Sequence, residues 1–186
     1  SVLEGPDFTW DPGSELITGL PVSNHDHSAN GLQFDNNGDL LIASGGNTNA
    51  GVPHVKMGTL PESPLTGAIL KAELSNPAFN GIIEYVETVS QLPNDDQVFG
   101  DIVDVVPGSH VTVHAPGLRN PFDIVYTTWG LLYATDNGPN STFGNRADDC
   151  VTDGTTVGSS DELDLIEYGN YYGHPNRNRG RYDARQ

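Results

Sequence analysis

The chain is built from short apolar runs, each closed by a cluster of Gly, Pro, Asn or Asp. Alternation of apolar and polar positions within such runs is the period of a strand with one covered face, while a continuous run such as Leu40-Leu41-Ile42-Ala43 marks a buried strand. This pattern predicts strands at residues 31–35, 39–45, 68–74, 81–88, 111–114, 122–127, 131–136 and 162–168. No stretch carries an amphipathic period of four helical turns. The expected class is therefore all-β, made of antiparallel four-stranded units. Between the first two strands, Asp35-Asn36-Asn37-Gly38-Asp39 loosely follows the spacing of a calcium loop. Its Gly position and the lack of a downstream Glu do not fit an EF-hand, and Asn-Gly favours the primed turns of a hairpin.

One internal repeat is visible. The segment from Phe34 to Ala43 parallels the segment from Val125 to Ala134, each an apolar strand end, a polar turn and a buried strand. Aligned on their leucine pairs, the two lie 91 residues apart (Leu40 to Leu131), about twice the ~40–45 residues of a compact propeller blade. Long inserted loops are expected inside each unit, at residues 47–63, 93–109 and 140–160. Radial blades bury sheet faces that one sheet cannot bury alone, and a closed ring needs about four of them. These 186 residues are thus expected to form a partial β-propeller domain of about two to three blades, completed by further blades from the same polypeptide or from neighbouring chains.

Composition supports the turn-rich reading, with 22 Gly and 13 Pro. Net charge is −17, from 25 acidic against 8 basic residues, so a nucleic-acid backbone would be repelled. No apolar run approaches the roughly 18 residues of a membrane span. Cys150 is the sole cysteine, so a disulfide would need a partner elsewhere. Half of the basic residues crowd the C-terminal end, at Arg177, Arg179, Arg181 and Arg185, which makes the isolated Arg119 a candidate functional cation.

Three motifs in order carry a family resemblance. They are Asp26-His27-Ser28-Ala29-Asn30-Gly31-Leu32, then Gly117-Leu118-Arg119-Asn120-Pro121 with Asp136-Asn137-Gly138-Pro139-Asn140 after it, then Asp161-Glu162-Leu163-Asp164-Leu165-Ile166 running on to Gly173-His174-Pro175. Together they span positions 26 to 175 and resemble the glucose/sorbosone dehydrogenase family of soluble quinoproteins, which are six-bladed propellers. The resemblance implies an extracellular protein, periplasmic in a bacterium. It also implies oxidation of a sugar or related alcohol by hydride transfer to pyrroloquinoline quinone held by calcium.

Residue by residue, the resemblance makes His27 the general base, with Asp26 beside it and His25 as the alternative within the motif. A neutral imidazole, with a pKa near 6.5, can accept a hydroxyl proton at neutral pH. Arg119, Asn120 and Asn137 correspond to quinone contacts, and a planar guanidinium suits the cofactor's carboxylates. The backbone carbonyls of Gly138 and Pro139 correspond to calcium ligands, as oxygen ligation of a hard cation requires. Asp161-Glu162 would brace this loop or offer a second oxygen site. Read without the family, Arg119 would tie neighbouring blades through backbone carbonyls.

Two features depart from the pattern. Active relatives carry an acidic residue that orients the catalytic His, and Gly46 falls where it is expected. Asn140-Ser141-Thr142 is an N-glycosylation sequon directly beside the calcium carbonyls. Both favour the alternative of a non-catalytic extracellular propeller used for adhesion, matrix assembly or ligand binding, as in the Hedgehog-binding members of the same family.

Overall fold

The computed structural model describes residues 15–87, 103–143, 145–148, 151–155 and 160–174. Cys150 and the four C-terminal arginines lie outside them. Among the described residues there is no α-helix, only a single 3-10 turn at Val55–Met57. The strands are β1 (Ala29–Phe34), β2 (Leu40–Ser44), β3 (Ala68–Ala72), β4 (Tyr85–Glu87), β5 (Val103–Val105), β6 (Val111–Pro116), β7 (Pro121–Tyr126), β8 (Leu132–Asp136), β9 (Asn145–Asp148), β10 (Val151–Thr155) and β11 (Glu162–Ile166).

Every paired strand is antiparallel, in a four-stranded sheet β1-β2-β3-β6, a three-stranded sheet β7-β8-β11 and two hairpins, β4-β5 and β9-β10. Each hairpin is an insert. The first lies between the third and fourth strands of the larger sheet, the second between the second and third strands of the smaller one. The all-β, antiparallel expectation holds, and none of the described sheets closes on itself. The predicted strand at 81–88 shrinks to Tyr85–Glu87, with residue 88 outside the described residues.

The two sheets are structural repeats offset by 92 residues (Leu40 to Leu132), one more than the leucine alignment indicates. Their first hairpins share the same turn: Asp35 N donates to Asp39 O and Gly38 N to Asp35 O, matched by Thr127 N to Leu131 O and Gly130 N to Thr127 O. A one-residue slip changes the face of every side chain. With the corrected offset, Leu40 and Ile42 correspond to Leu132 and Ala134, and Leu41 and Ala43 to Tyr133 and Thr135.

The packing is then head to tail. Leu41, Ala43, Ile69 and Ala115 of the first sheet meet Ile124, Leu132, Ala134 and Ile166 of the second in one buried cluster. The first sheet's other face, with Leu40, Ile42, Leu70 and Val111, is covered by Ile17 and Leu20 and by Phe79, Ile83, Tyr85 and Val105 around the first insert. Both faces of β2 are therefore buried, which accounts for its continuous apolar sequence. Each fully buried Leu or Ile contributes roughly 1.5–3 kcal/mol. The outward face of the second sheet, which corresponds to the Leu41 and Ala43 face of the first, is open: Val125 is 53% exposed and Leu163 69%. Strands β1 and β7 approach closely at Gly31, where an added Cβ would stand 2.8 Å from Asp123 Cα. That approach sets the loops after β2 and β8 side by side.

Candidate functional site

The loop after β2, residues 45–51, is buried throughout, which is unusual because a buried loop must find partners for its own main-chain groups. Glu62 provides them. Its carboxylate accepts from Asn47 N (2.8 Å), Thr48 N (2.9 Å), Thr48 Oγ1 (2.6 Å) and Thr66 Oγ1 (2.7 Å), and it meets His174 Nε2 at 2.9 Å. Fixed in this way, the loop presents Asn49 to the second unit. Asn49 Oδ1 accepts from Asn140 N (2.8 Å), and Asn49 Nδ2 donates to Asn140 O (2.8 Å).

Arg119 sits between the two units. Its Nε donates to Asn49 O (3.2 Å), Nη2 to Asn49 Oδ1 (2.9 Å) and Nη1 to Asn137 O (3.2 Å). The guanidinium ties the units through neutral oxygens, the role that residue chemistry alone had offered as the alternative to cofactor binding. Burial pushes its pKa below the ordinary value, and the carboxylates of Asp136, Asp26, Glu62 and Asp161 push it back. Among the described residues three of its five N–H groups are engaged, which leaves two for a ligand.

Asp136, which the sequence presented only as part of a motif, holds the Arg-Asn turn. Its carboxylate accepts from Arg119 N (2.9 Å) and Asn120 N (2.7 Å). Burial raises its pKa, with these two hydrogen bonds and the nearby His174 and Arg119 opposing. Asn120 and Asn137 bond each other (3.1 Å), and Asn120 Oδ1 also accepts from Asn30 Nδ2 (3.0 Å). Both amides are therefore engaged within the protein, although Asn137 still lines the cleft.

The cleft so formed is about 170 Å3 and is walled by Asn49, Arg119, Asp136, Gly138, Pro139 and His174, among others. The carbonyls of Gly138 and Pro139 accept no hydrogen bond among the described residues, and Gly138 N donates to Asp161 Oδ1 (3.1 Å). Asp161 thus braces the loop, while Glu162 lines the cleft. These oxygens fit a calcium ion in kind: two carbonyls that accept nothing among the described residues, with a carboxylate nearby, from a coordination of six to eight. The volume is below the roughly 300–1,000 Å3 that encloses a drug-sized ligand, so these walls would enclose only part of one.

His27 does not line this cleft. It is buried beside the loop, with Nδ1 2.8 Å from Gly46 O, and Asp26 Oδ1 is 3.6 Å from its Nε2. Asp26 pairs instead with His25 (2.5 Å) and is 63% exposed. Burial lowers the His27 pKa and the Arg119 charge adds to this, against the Gly46 carbonyl and Asp26, so the ring is neutral at neutral pH. For Asp26, burial acts upward, but the His25 hydrogen bond and the two histidine charges outweigh it and lower the pKa.

Gly46 is required by packing. A Cβ there would stand 2.8 Å from His174 Nε2 and 2.9 Å from Glu62 Oε1, so no acidic side chain fits. The main-chain oxygen of Gly46 takes the orienting role toward His27. Asn140 lies at the rim, exposed, with its main chain clamped to Asn49 and its side chain free of hydrogen bonds among the described residues.

The fold therefore brings Arg119, Asn137, Gly138 and Pro139 together, with Asn140 at their edge, and sets His27 and Asp26 on the far side of Gly46. Asn49, Glu62 and His174 complete the site. His174 stood in a motif without a role, and Glu62 and Asn49 gave no sequence signal. No protein-family model matches the chain, and no curated protein matches it in sequence.

Proposed function

We propose that this chain is part of an extracellular β-propeller that oxidises a sugar or related alcohol, with calcium and pyrroloquinoline quinone held in the cleft between its two units. The observation that carries this reading is the meeting, at the seam with Asn49 of the first repeat, of a buried guanidinium and two main-chain carbonyls that, among the described residues, have hydrogen-bonding capacity to spare. Gly138 and Pro139 would hold the cation, with Glu162 in reach of the same cleft. Arg119 would grip a carboxylate of the quinone, whose chemistry when bound is to accept hydride.

The chain's own contribution is positional and protic. An imidazole beside Gly46 would supply the proton acceptor, and the Asp136 carboxylate keeps Arg119 and Asn120 in register. The six-bladed ring belongs to the same proposal. Because the two sheets pack head to tail, a further sheet presenting a face like that of Leu132 and Ala134 would cover Val125 and Leu163, and repeated packing of this kind forms a ring where the rotation per unit closes. The test is dye reduction by the intact natural protein, supplied with calcium and the quinone, across a panel of sugars. Turnover supports the reading, and no turnover with any sugar removes it.

A second reading has its own support. Arg119 already spends three N–H groups joining the units, and the Asn140 sequon is exposed at the cleft rim. A glycosylated, non-catalytic propeller serving adhesion, matrix assembly or ligand binding would keep both features. Saturable sugar or calcium binding without dye reduction would select it.

A further inference from the structure

We infer that the general base of the cleft is His174, with Glu62 as the positioning residue that sets its tautomer. The inference rests on reading the cleft as a site for oxidising a hydroxyl-bearing ligand, and it changes which imidazole does the work.

The case begins with the saturation of Glu62. Two of its partners, Asn47 N and Thr48 N, are main-chain groups that can only donate, and two threonine hydroxyls add to them. An ionised carboxylate is acceptor-only and meets all of these at once. The His174 nitrogen facing it, Nε2 at 2.9 Å from Oε1, must then carry its proton toward Glu62. In the neutral form of the ring the lone pair is then on Nδ1. That nitrogen makes no hydrogen bond among the described residues, and His174 is part of the cleft wall with Arg119, Gly138 and Pro139. A carboxylate fixing one ring nitrogen so that the other accepts a proton is the arrangement that general-base imidazoles use.

His27 lacks two parts of this arrangement. Its partner is the neutral Gly46 carbonyl, and it is absent from the cleft wall. The geometry at Gly46 explains the exchange. The space that an acidic side chain at 46 would need is already filled by the Glu62–His174 pair, both partners being nearly buried, at 8% and 7% exposure. The carboxylate therefore reaches the site from the loop before β3, and it orients the imidazole from the segment after β11. In the oxidation of a bound hydroxyl to a carbonyl, the O–H proton goes to His174 Nδ1. The hydride on the hydroxyl-bearing carbon would pass to a quinone-class oxidant. The imidazolium keeps its Nε2–H on Glu62.

Two measurements test this. The first needs neither cofactor nor turnover: two-bond proton–nitrogen correlation spectra of the full chain, labelled with 15N-histidine. His174 is expected in the Nε2–H form, and Glu62→Ala is expected to mix the two tautomers. An Nδ1–H form in the wild type overturns the assignment, as does a tautomer indifferent to Glu62→Ala. The second is dye reduction by the intact protein with calcium, pyrroloquinoline quinone and whichever sugar of the panel, D-glucose included, the wild type oxidises fastest. His174→Gln should cost about 10²–10⁴-fold in kcat with quinone affinity kept, whereas His27→Gln should cost less than about tenfold. If His27→Gln carries the large loss and His174→Gln does not, His174 is not the base although the dehydrogenase reading stands. If the wild type turns over no sugar in the panel, the dehydrogenase reading fails and the base assignment falls with it.

Discussion

Replacing Glu62 by Gln changes one oxygen to an amino group at the centre of a buried loop. The carboxylate now receives hydrogen bonds from two main-chain N–H groups, two threonine hydroxyls and His174. The hydroxyls can turn and accept instead, but Asn47 N and Thr48 N cannot. They sit on different carboxylate oxygens, so in either orientation of the amide one of them faces an N–H group. A buried donor left without an acceptor costs about 1–3 kcal/mol, and the surviving bonds weaken by about 1 kcal/mol when the acceptor loses its charge. The expected destabilisation is about 2–4 kcal/mol in all. Equilibrium unfolding in urea measures it. With a slope of about 2 kcal/mol/M the midpoint falls by roughly 1–2 M and the slope itself is unchanged. A midpoint within about 0.2 M of wild type would refute the reasoning, because a surface carboxylate would behave in that way.

Other outcomes follow from the same structure. Gly46→Ala forces a methyl into contact at 2.8–3.1 Å with His174, Glu62 and the Arg119 carbonyl and should cost about 1–3 kcal/mol, read from thermal melting; an unchanged melt would show that the loop has room. Lys71 bridges Asp35 (3.0 Å) and Asp39 (2.9 Å). Burial raises both carboxyl pKa values, but the Lys71 and main-chain hydrogen bonds outweigh it and lower them. Their stabilisation is present above the ordinary carboxyl pKa and is lost as pH falls through the lowered values. Asp39→Asn should accordingly flatten the acid limb of stability below about pH 4, and an identical limb would contradict the pairing. On the open face, Val125→Asp should cost about 2–4 kcal/mol in the intact natural protein, because the proposed further sheet buries it there. A change within about 0.5 kcal/mol would mean that nothing covers this face.

Much of the fold was legible because the hairpins β1-β2 and β7-β8 carry their turn chemistry in the sequence. The repeat was found, but Leu40-Leu41 was aligned on Leu131-Leu132 by residue identity. In the structure Leu131 belongs to the turn, and the slip by one exchanged the covered and open faces. Strand β5 is only Val-Asp-Val, too short to show a period, and β9 and β10 are short and polar, rich in Asp, Asn and Thr. At the site, Arg119 and the Gly138-Pro139 carbonyls were legible as motifs with residue-level chemistry. Glu62 was not. It is a solitary acid among Pro, Ser and Thr, and its partner His174 lies 112 positions away. The position of His27 off the cleft was equally hidden, since spacing reports a motif and says nothing of which wall it faces.

The central claim is that the cleft between the two units holds a quinone through calcium and Arg119. A fluorescence titration of the intact natural protein with pyrroloquinoline quinone, in calcium and again in chelator, tests it most directly. The account predicts saturable binding in calcium, weakened by chelator and weakened again by Arg119→Met. Absence of saturable binding, or equal binding in chelator and in Arg119→Met, would contradict it.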